Sequence, residues 1–175
     1  NSQLKDVTGS EVTTLDLAME FSRKAYDVTV ATFKFEEPLK SEFDKLGINV
    51  VDLNNISSQH YDLIWAHHFT TLDLLLIDAG ITADKIVFSS LSPFEPLEAP
   101  PLSIDQVSLF LANSPETKNE LIRMGIDSGW IHELPNPAPD AFFAVRKERE
   151  FTLKKIAIVS NHVPVEVKDA IKFLK

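Results

Sequence analysis

Apolar residues in this chain gather in six short runs, at 28–33, 48–53, 62–67, 86–90, 107–112 and 130–134, each rich in Val, Ile, Leu or Phe. Runs this short, apolar on both faces, predict strands of a parallel sheet covered on both sides. The stretches between several of them predict helices, at about 10–25, at 39–46, from 70 or 71 to 79, and from Ser114 to Gly125. Strand alternating with helix gives the expected fold class. It is one doubly wound α/β domain, Rossmann-like, with a mostly parallel sheet.

Local signals set the helix ends. Thr8 followed by Glu11 has capping-box spacing. Gly9 inside that box permits close backbone approach over the helix N-terminus, where an anion is favoured. Gly47, Gly80 and Gly125 follow the next three helices as C-terminal glycines. Thr70 or Thr71 is expected to cap the helix before Gly80, and Ser114 with Pro115 supplies a cap and a first-turn proline.

Two features depart from a simple doubly wound unit. The polar stretch 1–6 leads straight into the glycine turn, so the central strand that normally feeds such a turn is expected to be missing, with Asn1-Ser2 resembling its tail. After Phe142-Phe143 a charged run leads to a new apolar segment, 155–160, and a helical stretch from 163 or 164 to Lys175 without a closing cap. The expected organisation is a domain over 1–143, a linker over 144–154, and the first strand and helix of a second domain over 155–175, the chain being truncated at both ends. Within the chain, segment 155–160 is the best candidate to fill the vacant central position of the sheet.

At 175 residues and 44% hydrophobic content the chain can bury a full core. Its formal net charge of −9 argues against nucleic acid as a partner. The absence of cysteine excludes disulfides and thiolate metal sites and fits a reducing compartment. No apolar run reaches the roughly 18 residues that span a bilayer, and no basic-then-apolar leader opens the chain. A cytoplasmic setting is expected.

Ligands in open parallel sheets bind outside the carboxyl ends of the strands. The polar residues expected there are Gly9-Ser10-Glu11, His67-His68, the stretch 89–95, Asn113-Ser114 and Asn136. His67 and His68 admit three readings. A metal pair is disfavoured, because adjacent side chains on a strand point to opposite faces. The others are structural histidines bonded to a loop carbonyl, and polar contact or proton handling at a ligand. The proline-rich loop that follows residue 90 is either a rigid surface loop or the wall of a cleft, with Ser92 in it and Glu95 or Glu98 meeting hydroxyls. The chain contains no Gly-x-Ser-x-Gly nucleophile turn, no Gly-x-Gly-x-x-Gly dinucleotide fingerprint and no P-loop. No two acids are tied to one site by hydrolase spacing. From the residues alone, the reading ends at a soluble α/β ligand-binding domain.

The order of segments resembles the N-terminal, acceptor-side domain of a GT-B-fold retaining glycosyltransferase of the glycosyl transferases group 1 type. The opening glycine loop and helix leading to a strand are matched by Thr8-Gly9-Ser10-Glu11 and Asp27-Val28-Thr29-Val30. The strand ending in histidine is matched by Tyr61-Asp62-Leu63-Ile64-Trp65-Ala66-His67-His68. The serine-then-helix segment is matched by Asn113-Ser114-Pro115-Glu116, and the asparagine–proline turn by Leu134-Pro135-Asn136-Pro137. Segment 156–164 resembles the first strand of the C-terminal domain. The match covers nearly the whole chain, and its strength is the colinear order. Where the family has two adjacent glycines, this chain has Gly9 and Ser10, and the paired-glutamate motif of the family's C-terminal domain is not among these residues.

The resemblance implies transfer of a sugar from a nucleotide-sugar donor to a glycan or other hydroxyl acceptor with retention, with neither metal nor cofactor. It implies His67 as the catalytic residue, contacting the donor sugar or holding the acceptor hydroxyl. Gly9, Ser10, Glu11, His68, Ser92, Glu95 and Asn136 are the donor- and acceptor-binding set. Its implied partners include the C-terminal domain of the same polypeptide, with peripheral membrane association open to the parent enzyme. The isolated chain is expected to bind weakly and not turn over, because two domains must close to build the site. The alternatives are a non-enzymatic α/β ligand-binding or receiver-like module, an inverting GT-B enzyme, and half of a nucleotide-sugar epimerase. A receiver needs an acidic pair after its first strand, and Asp52 is the only near fit.

Overall fold

Among the described residues every strand pairing is parallel, so within each sheet the carboxyl ends of the paired strands lie on one edge. The computed structural model describes residues 1–94 and 96–136. The expected linker and the 155–175 unit, with the proposed insertion of segment 155–160, lie outside the described residues, as does Glu95. In chain order the elements are β1 (Gln3–Leu4), α1 (Gly9–Arg23), β2 (Thr29–Thr32), β3 (Lys34–Phe35), α2 (Leu39–Leu46), β4 (Asn49–Asp52) and β5 (His60–Ala66). They continue with α3 (Phe69–Asp73), β6 (Thr82–Ser90), β7 (Leu109–Ala112), α4 (Pro115–Arg123) and β8 (Ile131–Glu133). β5 to β8 form a four-stranded sheet in sequence order, β2 pairs with β4, and β1 pairs with β3. This is a Rossmann-like α/β fold, as the sequence predicts.

One expectation about the centre of the sheet is corrected. A strand does precede the glycine turn: Gln3 and Leu4 lie opposite Lys34 and Phe35, and the amides of Phe33 and Glu36 donate to the carbonyls of Ser2 and Leu4. Leu4 is fully buried and packs with Val30, Leu39 and Phe43, which supplies the hydrophobic reason that this short polar-flanked segment is held in the sheet. The predicted strand 28–33 is interrupted at Phe33 and continues as β3. β6 starts at Thr82, earlier than the apolar run indicates, because pairing with His60 and Tyr61 extends it through a polar, largely exposed stretch before its five buried residues.

The helix ends follow the sequence signals with two exceptions. Gly47, Gly80 and Gly125 all adopt positive φ. Ser114 Oγ accepts from the Thr117 amide at 3.2 Å, with Pro115 in the first turn. α3, however, starts at Phe69 with His68 at its N-cap, and it runs on into a π turn over Leu74–Asp78, so neither Thr70 nor Thr71 caps it. The Thr8 box closes from one side only: the Thr8 side chain caps no amide and instead donates to Glu11.

The core is in two parts. The larger one packs α3 and α4 on β5 to β8 around Phe88 and Phe110, both fully buried and edge-to-face at 5.9 Å between centroids. The smaller one joins α1 and α2 to β1, β2 and β3. Between them the central position of the sheet holds only the short β1.

Candidate functional site

Parallel pairing brings the carboxyl ends of β5, β6 and β7 to the edge where α3 and α4 begin, and hydrogen bonds from Ser2 to His68 tie the segment leading into β1 to the end of β5. This is the edge at which α/β sheets bind ligands. The sequence of each strand end decides what it offers there.

After β1 the chain folds back through 5–8 into α1, and Glu11 organises that turn. Its carboxylate is buried and accepts from the amides of Lys5 and Asp6, each at 3.1 Å, and from the Thr8 hydroxyl. Burial raises its pKa, but the Thr8 hydroxyl and the Lys5, Asp6 and Thr8 amides outweigh that and hold it below the usual carboxylate range. Glu11 therefore remains ionised while shaping the loop. Gly9 opens α1, and a Cβ added there would meet nothing within 4 Å. Gly9 is exposed, and its backbone is uncovered at the helix start. Ser10 follows, half-buried, with its carbonyl accepting from Thr14 Oγ1 at 2.8 Å.

The histidine pair ends β5 and is inside the protein. His67 is 2% exposed; its ring bonds to the Ser89 backbone, while Nδ1 has no hydrogen-bond partner. That bond raises the pKa, so the ring is its donor. Burial, the nearby amino terminus and His68 nonetheless lower it from 6.5 to about 3. His67 is thus neutral near pH 7 and acts by hydrogen bonding, clamping the end of β5 to β6. His68 is also buried, and its Nδ1 lies 2.6 Å from Ser2 Oγ and accepts from the Ser2 amide at 3.3 Å. Ser2, which the sequence offered only as the tail of a strand, gains this role from a contact with a residue distant in sequence, which leaves no local signal.

Two buried carboxylates set the proline-rich loop. Glu98, one of the two acids expected to meet hydroxyls, is buried and accepts from the amides of Leu91 and, at 2.7 Å, Ser92, folding the loop. Asp73, on α3, accepts from the Leu102 and Ser103 amides at 3.0 and 3.1 Å and from Ser103 Oγ at 2.8 Å. These bonds leave Ser92 half-buried, with its Oγ accepting from the Phe94 amide at 3.2 Å, and leave Phe94 90% exposed. Asn113, at the end of β7, donates to the Leu91 carbonyl at 2.5 Å and ties the loop to the sheet edge. Asn136 is exposed, two residues beyond the Leu134 amide that donates to Ala112. The structure thus joins His67 with the end of β6, His68 with Ser2, and Ser92 with Glu98. Among the described residues no three His, Asp or Glu side chains are placed to hold a metal.

Comparison with known proteins bears on the fold. The chain is similar to the solved structure of Anabaena Alr3699/HepE in complex with UDP, with a TM-score of 0.60 at 17% identity over 81% of this chain. The fold is Rossmann-like, consistent with a GT-B N-terminal domain. HepE in complex with UDP and glucose matches with a TM-score of 0.60, and HepE in complex with UDP-glucose with 0.59, each at 15% identity. The chain spans 44% of the length of these structures. No family model matches the chain, and no curated protein matches it.

Proposed function

We propose that this chain is the acceptor-side half of a glycosyltransferase that moves a sugar from a nucleotide-sugar to a glycan or other hydroxyl acceptor with retention. The observation that carries this reading is the likeness of its fold to HepE, whose structures hold UDP, glucose and UDP-glucose. The exposed Gly9 at the start of α1 supports it, because the amides at a helix start attract a diphosphate or an acceptor oxygen. In this reading Gly9 and Ser10 meet the ligand through their backbone, while Ser92, Glu95 and Asn136 line the acceptor side. Glu11, His67 and His68 act from beneath, the first by shaping the loop and the histidines by locking the ends of β1, β5 and β6. The transfer proceeds without a metal in a cytoplasmic setting, and a C-terminal domain of the same polypeptide supplies most of the nucleotide affinity.

The test is a titration of the isotope-labelled chain with UDP-glucose, followed by backbone amide NMR. Millimolar binding with shifts at Gly9, Ser10 and Ser92 is expected. A micromolar constant overturns the assignment of nucleotide affinity to another domain. Shifts confined to other edges of the sheet, or none at saturating nucleotide-sugar, overturn the site.

A further inference from the structure

A cavity of about 290 Å³ opens at the carboxyl ends of β2 and β4, where Thr32 and Asp52 are register partners. Beyond that pair the two chains part. One passes through Phe33 to join β1 as β3, and the other enters a short 3-10 turn over Leu53–Asn55. The gap is lined by Thr32, Phe33, Phe35, Val50, Val51 and Asp52. Its apolar wall is held by both cores: Phe33 is half-buried against the larger one, and Phe35 against the smaller, where it meets Phe43 edge-to-face at 5.8 Å. Its polar rim is Asp52, exposed and fixed by the turn it opens. Oδ1 accepts from the amide and the side chain of Asn54 at 2.9 and 2.8 Å, and Oδ2 accepts from Asn55 Nδ2 at 3.0 Å. A carboxylate has about four lone-pair sites, so Oδ2 keeps one for a ligand. The cavity also adjoins the histidine end of the site. The Phe33 amide donates to the Ser2 carbonyl at 3.1 Å, and Ser2 Oγ lies 2.6 Å from His68 Nδ1.

We propose that this cavity is a subsite for one pyranose unit of the acceptor, which makes the acceptor an oligosaccharide. A pyranose has an apolar face of C–H groups and a rim of hydroxyls. The face matches the Phe33 wall, and a hydroxyl donates to Asp52 Oδ2. Other occupants match the lining poorly. The volume stands at the lower end of the range of about 300–1,000 Å³ for ligand clefts, which suits one ring and not a whole nucleotide. The Asp52 carboxylate repels the diphosphate of a donor. Lys40, whose Nζ lies 5.1 Å from the Phe35 ring centroid, already pairs with Asp44 at 2.9 Å. An alkyl chain would take water from Asp52 and offer it no hydrogen bond. The affinity for a saccharide stands by itself; its assignment to the acceptor rests on the sugar-transfer reading.

The experiment titrates the isotope-labelled chain with methyl glucoside, methyl galactoside and methyl mannoside, followed by backbone amide NMR. At least one of them is expected to give saturable, millimolar shifts at Phe33, Val51, Asp52 and Asn54. Phe33→Leu keeps the apolar volume and removes the ring, and Asp52→Asn keeps a turn-capping side chain and removes the charge. Each should weaken that glycoside at least about threefold. Neither should alter the response of Gly9 and Ser10 to UDP-glucose. No saturable shift at the cavity with any of the three glycosides overturns the inference. Glycoside affinity unchanged in both variants overturns it too, as does UDP alone moving the same amides. Glycoside binding at the cavity without any response of Gly9 and Ser10 to UDP-glucose upholds the saccharide site and removes the transfer reading, so the two failures are told apart.

Discussion

A buried neutral histidine should make stability depend on pH just below neutrality. Burial first, with smaller charge effects, lowers the His67 pKa from 6.5 to about 3. The ring is then neutral in the folded protein at pH 5 and protonated in the unfolded one. Between pH 3 and 6.5 the unfolded state binds more protons, so stability rises with pH across this window and falls as pH drops through it. Each pH unit is worth 1.36 kcal/mol, so the full window amounts to about 5 kcal/mol. The perturbation is His67→Gln, which removes the titrating ring and keeps a hydrogen-bonding side chain. Urea unfolding at pH 7.5 and 5.0 is the assay. The unsubstituted protein should lose about 2 kcal/mol more than the variant on going to pH 5.0. Equal losses in the two forms would refute the burial of His67 at the end of β5.

Gly9→Ala should leave the melting temperature unchanged or slightly raised, since the added Cβ meets open space and alanine favours a helix by up to about 1 kcal/mol. The same substitution should weaken UDP-glucose binding measured by NMR titration; unchanged binding would remove Gly9 from the site. Phe110→Ala should cost about 3–5 kcal/mol in denaturant unfolding, because the ring is fully buried against Phe88. A loss under about 1 kcal/mol would mean that the larger core is not packed as described.

Much of the scaffold was legible in the sequence because its signals are local. Short apolar runs marked the strands, positive-φ glycines closed three helices, and Ser114 with Pro115 opened α4. What escaped was set by tertiary contacts. β1 is a two-residue strand whose only signature is the burial of Leu4 against residues distant in sequence. The cap of α3 shifted because His68 is fixed by Ser2, more than sixty residues earlier. At the ligand edge, the sequence pointed to the strand ends but could not tell outward from inward side chains. Glu98 and Glu11 have the residue type of hydroxyl binders, yet their oxygens accept from backbone amides of their own loops. Burial likewise sets the state of His67, which is neutral near pH 7 and bonded to the Ser89 backbone, and the sequence carried no signal of that burial.

The central claim is sugar transfer with retention by the protein in which these residues work. Its most direct test is proton NMR of the full-length polypeptide containing residues 1–175, incubated with UDP-glucose and a panel of hydroxyl acceptors. The account predicts release of UDP matched by a new glycosidic product whose anomeric proton shows the α-configuration of the donor. A β-linked product would contradict retention, and isomerised UDP-sugar without release of UDP would replace transfer with epimerisation.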